Sequence, residues 1–204
     1  MPYLEITNLK KQFAGNVVFK DLNVNTKSYI LGIGGANGSG KSTLLKCMCG
    51  LLKPSLGKIQ WYLNNREYSP QQVRTKMGLL APFVQLYDGL TCIENIRFLD
   101  KLRNTSNTTC HSEKILNHFN MQDYADQLYG SLSTGQQQRI KFAAATLHNP
   151  SILLLDEPGS NLDVEGKDVV REMINIYRSN NDMVVVASNQ KEELDLCDEV
   201  IMLS

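Results

Sequence analysis

The sequence lacks several features that mark membrane-spanning, secreted and nucleic-acid-binding proteins. No stretch of its 204 residues approaches the roughly 18 consecutive apolar residues of a membrane-spanning helix, and the N-terminus has none of the three regions of a signal peptide. Lys and Arg together number 21, as do Asp and Glu, so no net positive charge favours nucleic acid as a partner, although a local basic patch stays open. We therefore expect a soluble, intracellular protein that does not bind nucleic acid.

Cysteine and histidine are both scarce. The five cysteines are scattered, and no two of them have the spacing of metal ligands. We expect reduced thiols that pack as small core residues. We interpret the three isolated histidines as surface or helix-end residues.

The order of the apolar segments favours one α/β domain with an inserted helical part. The first thirty residues alternate short apolar runs with polar turns, which predicts a small antiparallel sheet. From 83 to about 149 the pattern changes to helices and polar loops, one of them from Asn104 to Thr109. The apolar runs Ile152–Leu155 and Met183–Ala187 predict buried strands, the second of them central. Helices are also predicted at three further places: from Ser112, over Gln136–Leu147 and over roughly Lys191–Leu196.

The most informative stretch joins a predicted buried strand to a predicted helix. Residues 35–43 contain G-x-x-x-x-G-K-S/T, the pattern of a phosphate-binding loop. Small residues at this spacing bring backbone N–H groups against phosphate oxygens, and a helix that begins near Lys41 turns its positive end towards the same anion. A glycine-rich turn without a ligand is the alternative. We predict nucleotide binding by the loop residues Asn37, Gly38, Ser39, Gly40, Lys41, Ser42 and Thr43.

Three side chains near this loop have specific expected roles. Lys41 should reach the β- and γ-phosphates, and Ser42 should ligate Mg²⁺. An aromatic ring at Phe13 can stack on a nucleotide base. Taken alone, however, Phe13 is more simply interpreted as a core residue.

Three further motifs follow in order along the chain. Leu132–Arg139 (LSTGQQQR) opens a predicted helix, Ile152–Glu157 (ILLLDE) ends a predicted strand in two carboxylates, and Ser160–Asp163 (SNLD) comes next. Together with the phosphate-binding loop they resemble the signature, Walker B and D-loop motifs of ABC-type ATPases, over essentially the whole chain. A P-loop kinase is disfavoured, since the signature helix would then have no role.

The resemblance implies a fold and a division of the chain. ABC-type ATPases have an α/β, P-loop NTPase (RecA-like) core with a mainly parallel sheet, an N-terminal antiparallel β part and an inserted helical subdomain. On this sequence, residues 1–82 and 147–204 would form the nucleotide-binding core. Residues 83–146 would form the helical subdomain that carries the signature motif.

The resemblance also implies roles around one bound ATP molecule. Asp156 would hold Mg²⁺ and Glu157 would polarise the attacking water as general base, with Lys41 as a further catalytic residue. Phe13 aligns with the family's adenine-stacking aromatic, which reverses its interpretation as a core residue.

The signature motif implies a second subunit. In the family, Ser133, Gly135 and Gln136 would face the γ-phosphate of ATP bound by another copy, in a head-to-tail dimer with two ATP molecules at the interface. Ser160 and Asp163 would be dimer contacts that sense the opposite site. An ordinary N-capped helix is the alternative for Ser133.

Two positions depart from the family pattern. Pro82 occupies the place of a glutamine that touches Mg²⁺ and water, and proline offers neither amide nor N–H. Gln85 could replace that glutamine from a shifted loop, but a surface glutamine is the simpler interpretation. Asn189 stands in place of the switch histidine as the remaining catalytic residue; it can donate a hydrogen bond but is shorter and carries no charge. We therefore predict near-normal ATP binding and slow hydrolysis.

The resemblance implies the ATPase subunit of a membrane transporter whose permease is a separate polypeptide. The chain would lie in the cytoplasm, peripheral on the inner face of the membrane, and would form a homodimer or pair with a pseudo-symmetric partner. Its compact form looks like the small ATPase subunits of exporters, including the haem-exporter type. Two alternatives stay open: a soluble ABC-type ATPase that acts on DNA or ribosomes, and a nucleotide-sensing module with very weak hydrolysis.

Overall fold

The computed structural model describes residues 2–102, 109–160 and 162–203. Strands and helices alternate through most of this part of the chain, so the predicted α/β class is confirmed. The strands are β1 (Tyr3–Phe13), β2 (Asn16–Thr26), β3 (Ile30–Gly34), β4 (Leu56–Leu63), β5 (Arg66–Tyr68), β6 (Met77–Leu80), β7 (Ile152–Asp156), β8 (Met183–Ser188) and β9 (Glu199–Met202). The α-helices are α1 (Lys41–Met48), α2 (Pro70–Val73), α3 (Cys92–Leu102), α4 (Thr109–His118), α5 (Thr134–Thr146), α6 (Val164–Ser179) and α7 (Lys191–Leu194).

The N-terminal strands form an antiparallel sheet, as predicted. Its order is β2-β1-β4-β5, with Leu4 opposite Trp61 and Ile6 opposite Ile59. Alternate residues of β1 are buried because successive side chains of a strand point to opposite faces. The long β1–β2 hairpin carries Phe13 at its tip.

The second sheet is parallel and brings the sequence motifs to one edge. Its order is β6-β7-β8-β3-β9, so β8 is central, as predicted. Every residue of β3, β7 and β8 is buried, which explains their nearly continuous apolar runs. Gly34 lies opposite Ser188, and Asp156 lies opposite Ala187, so the three strands end at one level. In open α/β sheets, ligands bind at this carboxyl edge.

The parallel sheet separates two hydrophobic cores. Leu153, Leu155 and Val186 pack on one face with residues of α3, α5 and α6. Leu154 and Val185 pack on the other face with residues of α1 and of the antiparallel sheet. Helix α1, which follows the phosphate-binding loop, is therefore fixed between the two sheets.

The helix bounds differ from the sequence predictions at three places. Helix α4 begins at Thr109 rather than at Ser112, and Phe119 lies just after its end. Helix α5 begins at Thr134, because Ser133 caps it, and α7 ends at Leu194 rather than at Leu196. Residues 104–108 of the predicted polar loop lie outside the described residues.

Two predictions about single features can be compared with the described residues. Cys47, Cys49, Cys92 and Cys197 are free thiols, and three of these side chains are buried. Among the described helices, none combines the length and the apolar character needed to cross a membrane.

Trp61 offers a test of the core between the two sheets. Its side chain is fully buried, and its Nε1 donates to the carbonyl of Met48 at 2.9 Å, at the last residue of α1. Trp61→Phe removes this donor, so we expect the free energy of unfolding in urea to fall by about 1–3 kcal/mol. Tyr62→Phe, on the other face of the strand, should change it by less than about 0.5 kcal/mol. Equal losses in the two variants would contradict this account of Trp61.

Candidate functional site

The phosphate-binding loop joins β3 to α1 through backbone that only glycine adopts easily. Gly40 has φ 99° and precedes the helix as its N-cap, and a Cβ there would collide with Val18. No side chain caps the start of α1, and no acidic residue lies in its first turn. The first N–H groups of the helix therefore remain available to an anion.

Lys41 is a buried cation at the first position of α1. Its side chain is 6% exposed, and its Nζ donates to the carbonyls of Gly35 at 2.8 Å and Ala36 at 3.1 Å. The Oε1 atom of Glu157 lies 3.4 Å from the same Nζ. Three neighbours thus satisfy an ammonium group that has three donors.

An open cleft of about 520 Å³ lies in front of Lys41. It collects most residues that the sequence predicts for nucleotide binding, together with Glu157. The lining residues are Phe13, Val18, Asn37, Gly38, Gly40, Lys41, Ser42, Thr43 and Glu157. Ser39 is not among them; its hydroxyl is buried and has no hydrogen-bond partner in the described part of the chain.

Asp156 is a buried acid whose carboxylate has no hydrogen-bond partner among the described residues. The residue is 1% exposed, and neither carboxylate oxygen accepts a hydrogen bond from any described residue. Burial raises the pKa of this carboxyl, while the nearby Ser42 hydroxyl acts in the opposite direction. Uncompensated burial of a carboxylate costs free energy, so a group that binds it would offset that cost.

The oxygen atoms of Ser42 and Asp156 fit a magnesium ion. Hydroxyl and carboxylate oxygens are ligands that Mg²⁺ prefers, and Mg²⁺ is usually held by one or two protein groups plus phosphate oxygens. The described residues contain no cluster of three or more His, Cys, Asp and Glu side chains suited to a metal.

Glu157 adopts a backbone conformation that is rare for its residue type. Its φ is 50°, in the left-handed region, and its N–H donates to the carbonyl of Ala187 at 2.8 Å. The side chain is 22% exposed and faces Lys41. Non-glycine residues in this region cost about 1–3 kcal/mol each and cluster at functional sites.

Asn189 follows β8 and contacts the phosphate-binding loop. Its Nδ2 donates to Oδ1 of Asn37 at 2.9 Å, and both residues are exposed. The switch position and the loop therefore meet across the end of the sheet.

Phe13 is not a core residue, so its interpretation from the hydrophobic pattern alone is wrong. The side chain is 47% exposed at the tip of the β1–β2 hairpin and borders the cleft. The Nζ atom of Lys11 lies 4.6 Å from the ring centroid and donates to the carbonyl of Lys53. A cation thus covers one face of the ring.

The signature residues lie away from the cleft of their own chain. Ser133 and Gln136 form a capping box: Ser133 Oγ accepts from the Gln136 N–H, and Gln136 Oε1 accepts from the Ser133 N–H. Neither residue, nor Gly135, lines the cleft. A Cβ added at Gly135 would meet no atom within 4 Å.

Pro82 and Gln85 lie on different cavities. Pro82 borders a second cavity, of about 200 Å³, together with Asp156, Glu157 and Gln138. Gln85 lines a separate apolar groove, and its Nε2 donates to the carbonyl of Pro82 at 3.1 Å. The structure therefore does not bring the Gln85 side chain into the cavity beside the two acids.

A sequence model of the family described as ABC transporter matches residues 19–160. This chain belongs to the ABC transporter ATP-binding family. The family binds ATP and in general hydrolyses it.

Individual relatives agree with the family assignment. The chain is 33% identical over 181 residues to the ABC transporter ATP-binding protein NatA of Bacillus subtilis, covering 87% of this chain and 74% of that protein. It is 30% identical over 200 residues to the bacitracin transport ATP-binding protein BcrA of Enterococcus faecalis, covering 97% of this chain and 65% of the relative. A solved dimeric structure of a bacterial ABC transporter cassette superposes with a TM-score of 0.84 at 26% identity, covering 98% of this chain and 94% of that one. The fold predicted from the resemblance is confirmed.

Sequence reasoning missed two side chains of this ABC ATP-binding chain that contact the turn after Glu157. Gln138 Nε2 donates to the carbonyl of Pro158 at 3.0 Å, and Glu193 Oε1 accepts from the N–H of Gly159 at 2.9 Å. Both lie far from the turn in sequence, and Glu193 belongs to none of the motifs. Burial of a carboxylate three positions into a short polar helix is not visible in the hydrophobic pattern.

The D-loop residues are described in part. Ser160 Oγ donates to the carbonyl of Glu157 at 2.9 Å, and Asp163 caps α6 by accepting from the N–H of Gly166 at 2.8 Å. Asn161 lies outside the described residues.

Asp156→Asn should stabilise the protein in the absence of divalent cations. The amide is neutral, so its burial costs less than that of an unpartnered carboxylate, and the free energy of unfolding at pH 7 in EDTA should rise by about 1–3 kcal/mol. Because the pKa of Asp156 is raised in the folded state, the native protein holds this proton at higher pH than the unfolded chain does. The difference between variant and wild type should therefore vanish below the pKa of aspartate in the unfolded chain.

The matched control is the exposed Asp195, whose change to Asn should leave unfolding within about 0.5 kcal/mol at every pH. Urea titrations at several pH values measure both variants. A destabilised Asp156→Asn protein in EDTA would show that the carboxylate has a favourable partner.

Proposed function

We propose that the chain is the ATP-binding and ATP-hydrolysing subunit of a membrane transporter and that it works through an ATP-sandwich dimer with slow turnover. The observation that supports this most directly is the pairing of two buried charges at one sheet edge. Lys41 faces the open cleft, and Asp156 has no partner of its own among the described residues. A nucleotide triphosphate with Mg²⁺ carries groups that complement both.

In the proposed complex the cleft holds the whole nucleotide. The open face of Phe13 stacks on adenine, and the N–H groups at the start of α1 bind phosphate oxygens. Lys41 reaches the β- and γ-phosphates, while Ser42 and Asp156 hold Mg²⁺. Bound there, the metal ion neutralises charge that develops on the phosphate oxygens.

Glu157 acts as the general base in this proposal. Its carboxylate already borders the cleft, 3.4 Å from Lys41. Phosphate oxygens that bind Lys41 compete with this ion pair and leave the carboxylate free to accept a hydrogen bond from the attacking water. The left-handed backbone at Glu157 fixes the direction from which its side chain enters the cleft.

The proposed dimer explains why the signature residues lie outside their own cleft. In a head-to-tail pair, Ser133, Gly135 and Gln136 of one copy close the cleft of the other. Gly135 has open space in front of it, as an interface position requires. The partner is a second copy or a pseudo-symmetric chain, and the similarity to a dimeric cassette supports such pairing.

The proposed permease site is the apolar groove of about 260 Å³ between α5 and the segment after β6. Its walls include Leu79, Leu86, Leu99 and Ala144, so an apolar helix end from a membrane subunit fits it. Tyr87 and Phe98 pack edge-on beside this segment and are both more than one-third exposed. Docking there would place the chain on the cytoplasmic face of the membrane, with 83–146 as the contacting subdomain and 1–82 with 147–204 as the catalytic core.

The slow turnover follows from the two departures. Asn189 reaches Asn37 with its amide but cannot supply the longer, cationic donor of the family's histidine. Pro82 lines the second cavity, and proline offers no side-chain amide there. Both losses affect groups that act on the γ-phosphate and the water, so binding stays intact while hydrolysis slows. The same two residues favour one alternative, a nucleotide-sensing module with very weak hydrolysis.

A mixing experiment tests the dimer. Lys41→Ala should disable the cleft of its own copy. A Cβ at Gly135 meets no atom within 4 Å, so Gly135→Trp should leave its own fold intact and block only the partner's cleft. Each variant alone should be inactive, and an equal mixture should regain about one quarter of the wild-type ATPase rate, because half the dimers then contain one intact composite site of two.

A mixture of Lys41→Ala with Glu157→Gln is the matched control. Both changes disable the cleft of their own copy, so no mixed dimer contains an intact site and no activity should return. Failure of the first mixture to recover, with ATP binding retained by the Gly135→Trp copy, would exclude the proposed sandwich.

Asn189→His tests the cause of slow turnover. Restoring a preorganised donor to the γ-phosphate should raise kcat by about 10²-fold and leave the affinity for ATP unchanged. Phosphate release at saturating ATP and fluorescence titration with a labelled nucleotide measure the two quantities. An unchanged kcat would mean that another residue limits hydrolysis.

A further inference from the structure

The turn Pro158–Ser160 is held from two sides by side chains of other elements. Gln138 of α5 donates to the carbonyl of Pro158, and Glu193 of α7 accepts from the N–H of Gly159. Within the turn, Ser160 donates both its N–H and its hydroxyl to the carbonyl of Glu157. The turn begins at Glu157, whose backbone is in the left-handed region, so these bonds oppose its relaxation.

Glu193 is the unusual member of this set. It is 7% exposed although it lies on a four-residue helix at the surface, and its second oxygen, Oε2, has no hydrogen-bond partner among the described residues. Burial raises the pKa of this carboxyl, and the Ser188 hydroxyl and the Gly159 N–H act in the opposite direction. Packing alone does not explain a buried acid, since an apolar residue would avoid its desolvation.

The Glu193 carboxylate contacts the backbone of the turn directly. A Cβ on Gly159 would collide with Oε1 of Glu193, so the position admits only glycine without a shift of the acid. A bond from a backbone N–H to a charged acceptor is stronger than one to a neutral acceptor. The contact therefore fixes the path of the turn closely.

The backbone of Glu193 is tied to the segment that carries Asn189. Ser188 Oγ accepts from the N–H of Gln190 at 3.0 Å, and the N–H of Glu193 donates to the carbonyl of Gln190 at 3.2 Å. Asn189 lies inside this small loop. Glu193 thus connects the residue that contacts the phosphate-binding loop to the turn that follows Glu157.

We propose that Glu193 is a positioning residue that holds the Glu157 turn and the Asn189 segment in one fixed arrangement. Its role in turnover rests on the proposed ATP hydrolysis. Its contact with the turn does not, because exchange rates measure it without nucleotide turnover. Displacing a catalytic group by about 1 Å can cost about 10²-fold in rate, so a loosened turn lowers kcat without touching the nucleotide.

Glu193→Ala is the first test variant, and Glu193→Asp is the second because it keeps the charge but draws the carboxylate back from Gly159. In both, the backbone amides of Gly159 and Ser160 should exchange with deuterium about ten-fold faster or more, because the tether to Gly159 is lost. Their kcat for ATP should fall about ten-fold or more, with KM within about two-fold of wild type.

Two further variants separate positioning from general stability. Glu193→Gln keeps an acceptor of the same length and should retain slow exchange and most of kcat. Glu192→Ala is the matched control on the same helix turn: Glu192 is 69% exposed and pairs with Lys167, so its loss should change neither quantity.

The outcomes distinguish the inference from the proposed function. Unchanged exchange at Gly159 and Ser160 in both Glu193→Ala and Glu193→Asp would overturn the tether, as would a loss of kcat that Glu193→Gln shares in full. If wild type shows no ATP turnover, the proposed hydrolysis fails, and the exchange rates alone then decide whether Glu193 holds the turn.

Discussion

The ion pair between Lys41 and Glu157 is the interaction on which the site depends. A buried ammonium must be satisfied, and here two backbone carbonyls and one carboxylate do so. The proposed base is therefore kept occupied while the cleft holds no anion. In the proposed mechanism, a polyphosphate offers Lys41 stronger and more numerous partners, so that its binding would also free Glu157.

The parallel sheet makes this pairing possible. Lys41 follows β3, Glu157 follows β7, and Asn189 follows β8, three strands that are neighbours in the sheet. Their registers bring Gly34, Ser188 and Asp156 to one level, so three segments distant in sequence end beside a single cleft. The sheet places each motif at the cleft because it fixes where each strand ends.

The sequence was most informative where the geometry is local. The phosphate-binding loop depends on residues within a few positions, and α1 begins at Lys41 as predicted. The caps at Ser133 and Asp163 are equally local. Phe13 could not be placed by pattern alone, since its exposure depends on how far the hairpin projects beyond the sheet. Glu193 escaped notice because its partner Gly159 is 34 residues away and belongs to no pattern of apolar residues. Long-range polar contacts of this kind carry no periodic signal.

The two departures from the family pattern lie at the same end of the sheet. Because neither lines the cleft, their effects on hydrolysis can be separated from effects on nucleotide binding. Asn189 contacts the loop through Asn37, and Pro82 borders the cavity beside Asp156 and Glu157. Neither position belongs to the cleft lining around Lys41, Ser42 and Phe13. In the proposed complex, the groups that would hold the base, the phosphates and the metal ion are therefore all present, and the two departures affect the groups proposed to act on the γ-phosphate and the water. Under the proposed mechanism, closure of the dimer would depend on ATP as it does in a faster enzyme, and the slower hydrolysis would delay only its reopening.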